Sequence, residues 1–229
     1  MSEDEDLVGQ VFGWIGSAFS LFFFIAPVVP YSQLIKEEIT YKESPGILLI
    51  CTFFNCVLWV NYGLKLDRFI VYFANGMGGV ITLIFITIFL IYYANKKFLI
   101  SFLLTLGLIA ILSIFDLIFF LFVPYGPIGL IASITNVLMY AAPGEKIITV
   151  FKTGNYKLIP IWSNIAGIAC SGCWLIYGIY LIDWNIMVPN GLGLIFSIFQ
   201  IVIFILYKKK KGEGKEKDDE EKKNVDAAE

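Results

Sequence analysis

The chain repeats itself. Trp59-x-x-Tyr62-Gly63 returns as Trp174-x-x-Tyr177-Gly178, Asn75-Gly76-x-Gly78 as Asn190-Gly191-x-Gly193, and Pro45 as Pro160, all at one offset of 115 residues. A fixed offset over residue types this rare means that one supersecondary unit is used twice. The match runs on to Phe89-x-Ile91-Tyr92 against Phe204-x-Leu206-Tyr207. Nearer the start of each copy the offset is 116, where Ala26-Pro27 meets Ala142-Pro143 and Lys36 meets Lys152, so the second copy is one residue shorter in its first loop.

The repeated unit is a membrane unit. Apolar residues make up 58% of the chain and its mean hydropathy is +0.78, beyond the roughly 45–50% apolar content of soluble domains. Seven apolar runs approach or exceed the roughly 20 residues that a crossing needs: 8–35, 46–64, 69–93, 98–123, 127–151, 158–182 and 184–207. The run 98–123 is apolar all round apart from Asp116, so it lacks the polar face that a soluble helix keeps. The expected fold is an all-α membrane protein with seven transmembrane helices.

The copies cover spans 1–3 (8–97) and spans 5–7 (127–207), and span 4 (98–126) is a connector without a counterpart. Three crossings would invert the next copy, and one extra span turns it back. The predicted architecture is therefore 3+1+3, two parallel three-helix repeats related by an axis along the membrane normal. Internal repeats in a membrane chain are the architecture of a transporter whose site lies between the halves.

Charge orients the bundle. Of 17 Lys and Arg, only Lys65 and Arg68 fall on the side of the acidic N-terminal segment 1–7. The rest, from Lys36 and Lys42 through Lys96, Lys97, Lys146, Lys152 and Lys157 to the lysines after position 207, lie on the other side. The positive-inside rule places the N-terminus outside and the C-terminus in the cytosol. The acidic start argues against a cleavable signal peptide. The segment 208–229 is charged and of low complexity, so it is expected to be disordered, with Lys208–Lys211 as a headgroup anchor. Cys51, Cys56, Cys170 and Cys173 all lie within spans 2 and 6, which implies no outer disulfide framework. Cys170-x-x-Cys173 has no second pair or His to complete a metal site and reads as packing. No phosphate loop, nucleophile elbow or ligand cluster is present, so neither an enzyme, a cofactor nor a nucleic-acid partner is expected.

With three spans, a connector and three spans, a proline near the end of span 1, and the Trp-x-x-Tyr-Gly and Asn-Gly-x-Gly elements, the chain resembles the SWEET (MtN3/saliva) sugar transporters over about residues 10–207. The second half matches best, at Pro143, Pro160, Trp174, Asp183 and Pro189-Asn190-Gly191. The family pattern places the span 2 proline one turn closer to Trp59, where this chain has Leu48. The resemblance implies facilitative, bidirectional sugar transport by alternating access, in a homotrimer. A plasma membrane location is expected over an internal one. Rival readings are a transporter of the PQ-loop type carrying amino acids, a proton-coupled carrier, and a seven-span receptor. The Pro-Gln signature is missing after Pro27 and Pro143, the chain has no His, and Asp116 is its only clear intramembrane ionisable residue, away from the paired sites. These absences favour a uniporter.

The substrate-binding expectation rests on symmetric pairs. Asn75 and Asn190 are repeat equivalents, and each amide offers a donor and an acceptor suited to a sugar hydroxyl; a helix–helix hydrogen bond is the alternative. Trp59 and Trp174 suit stacking on a pyranose face, or an interfacial belt; the resemblance makes them the walls of the pocket. Asn55 and Cys170 lie four residues before each Trp, hence on the same helical face, and the resemblance gives these positions a part in selecting sugar size. With bulky Phe23 in span 1 they point to a small pocket and a monosaccharide such as glucose. Pro27, Pro45, Pro143 and Pro160 near the cytosolic ends are the expected hinges, with Pro30 a rival to Pro27 and a plain loop boundary the alternative, above all for Pro45 and Pro160. Tyr62, Tyr177 and Asp183 resemble the family's extracellular gate.

Overall fold

Hydrocarbon offers no partner for a backbone N–H or C=O, so each crossing must satisfy its own. The computed structural model describes residues 3–44, 46–94, 97–141 and 144–226, and its regular structure there is helical throughout. Span 1 is α1 (Glu3–Ile25) and α2 (Val28–Ile35). Spans 2 and 3 and the connector are α3 (Gly46–Lys65), α4 (Phe69–Tyr93) and α5 (Phe98–Phe122). Span 5 holds α6 (Tyr125–Ala141) and α7 (Gly144–Thr153), a 3-10 turn at Tyr156–Leu158 leads to α8 (Ile161–Tyr180), and α9 (Trp184–Asp226) carries span 7. Leu7–Ile35, Gly46–Lys65, Phe69–Tyr93, Leu99–Phe122 and Trp184–Lys210 are long and apolar enough to cross a bilayer, and Tyr125–Met139 is a shorter apolar helix.

The prolines act unequally. Pro27 has no N–H to give the carbonyl of Phe23, which the Ala26 N–H takes instead at 3.2 Å, and α1 ends there. Tyr31 N–H then donates to Pro27 O at 3.1 Å and α2 begins, with Pro30 inside its first turn. Pro160 corrects the expectation of a kink. It is the residue before α8, with ψ 84° outside the helical range, so it starts the helix and bends nothing. Pro45 and Pro143 lie outside the described residues. The tail is a second correction: α9 runs unbroken to Asp226 where disorder is expected. Lys and Glu are strong helix formers, and an established helix extends far more readily than it nucleates.

The six repeat helices close into a ring. α1 packs on α4, α4 on α3, α3 on α6, α6 on α9, α9 on α8, and α8 back on α1. Within each repeat the third span therefore sits between the first and second. The seams between repeats are α1 on α8 and α3 on α6. The connector α5 packs outside the ring on α4 and α3. There the amide of Asn61 donates to the carboxylate of Asp116, and Lys65 sits 4.9 Å from the centre of the Phe120 ring. Asp116 thus ties the connector to α3, which answers why an acid sits in an apolar span. The outer faces are apolar, as lipid requires: Ile47 is 82% exposed and Phe122 77%.

The repeat is visible in backbone detail. The turns α3–α4 and α8–α9 place equivalent residues, Asp67 and Ile182, at φ 53° and 52°, and the next N–H bonds back at equivalent distances, Arg68 to Gly63 O at 2.8 Å and Asp183 to Gly178 O at 2.9 Å. The seams repeat too. A Cβ on Gly13 would lie 2.8 Å from the Tyr177 ring, and one on Gly129 would lie 2.5 Å from the Tyr62 ring. Gly13 and Gly129 are equivalents, as are Tyr62 and Tyr177. Only glycine admits this approach, the small-residue packing by which membrane helices associate.

Burial divides along the bundle. At the Tyr62 end one cluster draws on both repeats: Leu58, Trp59, Tyr62, Ile70, Val71 and Ala74 with Ile128, Ala132, Cys170, Trp174, Tyr177 and Ile186. Towards the Pro27 end, among the described residues, the buried clusters divide. Tyr31, Leu34, Leu49, Phe85 and Ile86 belong to repeat one, and Ile147, Val150, Ile159 and Ile203 to repeat two.

Gly13→Ala and Gly129→Ala are each expected to destabilise the protein by about 1–3 kcal/mol through overpacking, read as a lower melting temperature in detergent. An unchanged melting temperature for either would contradict the symmetric seam.

Candidate functional site

The aromatic pair is buried, which the belt alternative does not allow. Trp59 is 6% exposed and Trp174 8%, each edge-on to the tyrosine three residues later. The ring centroids are 5.5 Å apart in both pairs, at 88° for Trp59–Tyr62 and 86° for Trp174–Tyr177. The indole of Trp174 donates to Ser20 Oγ at 2.9 Å. Both tryptophans lie in the cluster that the two repeats share, and Phe23 packs at its edge. A Cβ on Gly167 of α8 would come within 3.9 Å of the Phe23 ring.

Asn55 and Cys170 each reach across a seam to equivalent carbonyls. Asn55 Nδ2 donates to Ala132 O at 3.0 Å and to Thr135 Oγ1 at 2.7 Å. Cys170 Sγ donates to Gly16 O at 3.8 Å and lies 3.5 Å from Ser20 Oγ. Gly16 and Ala132 are equivalent at the 116 offset. The amide of Asn55 is therefore committed to α6 within the seam.

Asn75 and Asn190 match in detail. Each donates Nδ2 to the carbonyl one turn back, Asn75 to Val71 at 2.9 Å and Asn190 to Ile186 at 2.8 Å. Among the described residues neither amide donates to another helix. Among the described residues neither Oδ1 accepts a hydrogen bond, and neither is sealed from solvent. The back-bond fixes the rotamer and leaves each amide oxygen open to a donor such as a hydroxyl.

The Tyr62 end is latched. Tyr62 OH lies 2.8 Å from both oxygens of Asp183, and Asn185 Nδ2 donates to Tyr62 OH at 3.2 Å. Asp183 also takes the N–H of Asn185 at 3.0 Å and of Ile186 at 3.4 Å, capping α9. One carboxylate thus starts α9 and holds α3 against it. Sequence reasoning passed over Asn185 because its repeat equivalent is Ile70 and no symmetric pair marks it. The equivalent of Asp183 is Arg68, so the carboxylate of the latch has no repeat counterpart. On the other side Arg68, Gln10, Trp14, Tyr177 and Tyr180 line an open cleft of about 290 Å³, which includes Tyr177 and none of the expected sugar contacts.

The comparisons agree with this architecture. The family model described as "Sugar efflux transporter for intercellular exchange" matches residues 10–97 and 126–212. Among named relatives, the bidirectional sugar transporter SWEET7 of Arabidopsis thaliana is 30% identical over 213 residues, covering 89% of this chain and 82% of its own. SWEET1a of Sorghum bicolor is 32% identical over 219 residues, covering 91% and 80%. A solved eukaryotic SWEET transporter superposes with a TM-score of 0.76 at 23% identity, covering 90% of this chain and 99% of that one.

Asp183→Ala removes the latch and the α9 cap together, at a cost of about 1–3 kcal/mol for the buried bond and about 1 kcal/mol for the cap. On a background lacking the four native cysteines, a Cys placed at Ile128 is expected to gain labelling by a membrane-impermeant maleimide when Asp183 is replaced. Unchanged labelling would contradict the latch.

Proposed function

The chain belongs to the SWEET (MtN3/saliva) family, and from that premise we propose that it is a uniporter for a monosaccharide such as glucose, with its binding site on the axis between the repeats. It is an integral multi-pass membrane protein and a bidirectional sugar transporter, not an enzyme. The observation that carries the mechanism is the division of the core. The repeats share one buried cluster at the Tyr62 end and keep separate clusters towards the Pro27 end. This is the arrangement of a carrier closed on one side of its substrate.

Within this reading, the open oxygens of Asn75 and Asn190 accept hydroxyl protons and Trp59 and Trp174 form the apolar walls. Asn55, Cys170 and Phe23 set the pocket size. Tyr62, Tyr177 and Asp183 gate the outer side. Pro27 is a hinge by virtue of the break it makes in span 1. Pro45 and Pro143 keep the hinge role that the resemblance implies, and Pro160 serves as the fixed start of α8. The units that move are residues 8–97 and 127–207, joined by 98–126, with 1–7 outside and 208–229 in the cytosol. Lys and Arg distribution supports that orientation. The reading includes a homotrimer in the plasma membrane. The chain has no His, and no acidic residue lies beside the Asn and Trp pairs in sequence, which supports a cycle without a coupled proton.

Purified protein in proteoliposomes should take up labelled glucose down its gradient with saturation and without an ion gradient. Asn75→Ala and Asn190→Ala should each reduce uptake about tenfold or more, since each removes a hydrogen bond worth about 1–3 kcal/mol in a desolvated site. Uptake untouched by both substitutions would sink the pocket assignment, and absence of glucose uptake by folded protein would sink the substrate.

A further inference from the structure

Pro189 lies inside α9, one residue before Asn190, and is fully buried. A proline there removes the N–H that would bond to the carbonyl four residues back, which is that of Asn185. In a bilayer an unpaired carbonyl is costly. Here it is paired from another helix: Ser133 Oγ of α6 lies 2.7 Å from Asn185 O and 2.8 Å from Gly129 O on its own helix. Its single proton can serve either carbonyl, or both in a three-centre bond.

Asn185 is thereby held on three sides. Its carbonyl accepts from Ser133, its N–H donates to Asp183 Oδ1, and its side chain donates to Tyr62 OH. The latch and Asn190 are little more than one turn apart on α9, and the turn between them lacks one of its own hydrogen bonds.

Repeat one has none of this. The equivalent of Pro189 is Ala74, whose N–H is present. The equivalent of Asn185 is Ile70. The equivalent of Ser133 is Ser17, which donates to Gly13 O at 2.8 Å and, among the described residues, to no other helix. The device belongs to the second repeat alone.

We propose that Ser133 is a positioning residue for sugar binding. Its hydroxyl replaces the hydrogen bond that Pro189 removes from α9, and it fixes Asn190 relative to the closed Tyr62–Asp183–Asn185 latch. The inference rests on the reading of Asn190 as a sugar contact. Repeat one holds Asn75 by an intact helix, and repeat two holds Asn190 by a tie that can be made and released between α6 and α9. Asn190 is then the substrate amide whose placement follows the state of the gate.

The test compares S133A, P189A, the double variant, and S17A as the repeat-equivalent control. Each is assayed for KM and maximal rate of labelled glucose exchange in proteoliposomes, and for melting temperature in detergent. S133A should raise KM about five- to tenfold, as expected for one buried carbonyl left unpaired, with a smaller effect on maximal rate and a lower melting temperature. S17A should do neither. In the P189A background the restored N–H takes Asn185 O, so adding S133A should change nothing further. Ser133→Thr keeps the hydroxyl and should behave as the parent. Equal effects of S133A in both backgrounds, or equal effects of S133A and S17A, would overturn the proposal. If the parent carries no glucose, the substrate assignment fails and with it the positioning role, while the melting-temperature comparison across the same variants still decides whether Ser133 replaces the hydrogen bond that Pro189 removes. If P189A does not fold, S133A against S17A and Ser133→Thr decides it.

Discussion

The structure depends on how closely the two repeats approach at the seams α1–α8 and α3–α6. Lipid gives no hydrophobic drive for helices to associate, so their pairing rests on close packing and on polar ties. Both are present twice. Gly13 and Gly129 let the Tyr177 and Tyr62 rings lie against backbone, and Cys170 and Asn55 reach the carbonyls of Gly16 and Ala132. These contacts bring Trp59 and Trp174 into one buried cluster, and the open oxygens of Asn75 and Asn190 are set on the third span of each repeat.

Symmetry supplies the frame, and departures from it supply direction. The latch joins Tyr62 to Asp183, while the equivalent of Asp183 is Arg68 beside an open cleft. Pro189 and Asn185 have no counterparts in repeat one. A carrier with identical halves would have no reason to load the amides of Asn75 and Asn190 differently. Here one sits on an uninterrupted helix and the other on a helix completed by a neighbour.

Much of this was legible in the chain. Residue pairs at a constant offset revealed two parallel units and a connector, because rare residues at fixed spacing survive only where the geometry is reused. The burial of Trp59 and Trp174 was not legible, because an amphipathic ring near a span end suits both an interface and a core. The reach of Asn55 to α6 was hidden because helix rotation decides which neighbour a side chain meets. The continuation of α9 through 208–226 was missed because composition argues against a packed core but does not forbid a helix that starts in the membrane. Sequence leaves Pro160 open between hinge and boundary, because a proline at a span end looks the same one residue inside the helix and one residue outside it.

The repeats share a core at one end and keep separate cores at the other, and in the proposed cycle sugar reverses the two. Pulsed electron spin resonance on two pairs of repeat-equivalent exposed positions tests it most directly: Leu64 with Ile179 at the latched end, and Lys36 with Lys152 at the other. Saturating glucose should lengthen the Leu64–Ile179 distance and shorten the Lys36–Lys152 distance in the same fraction of molecules. Two single distances that stay fixed while glucose is still transported would contradict it.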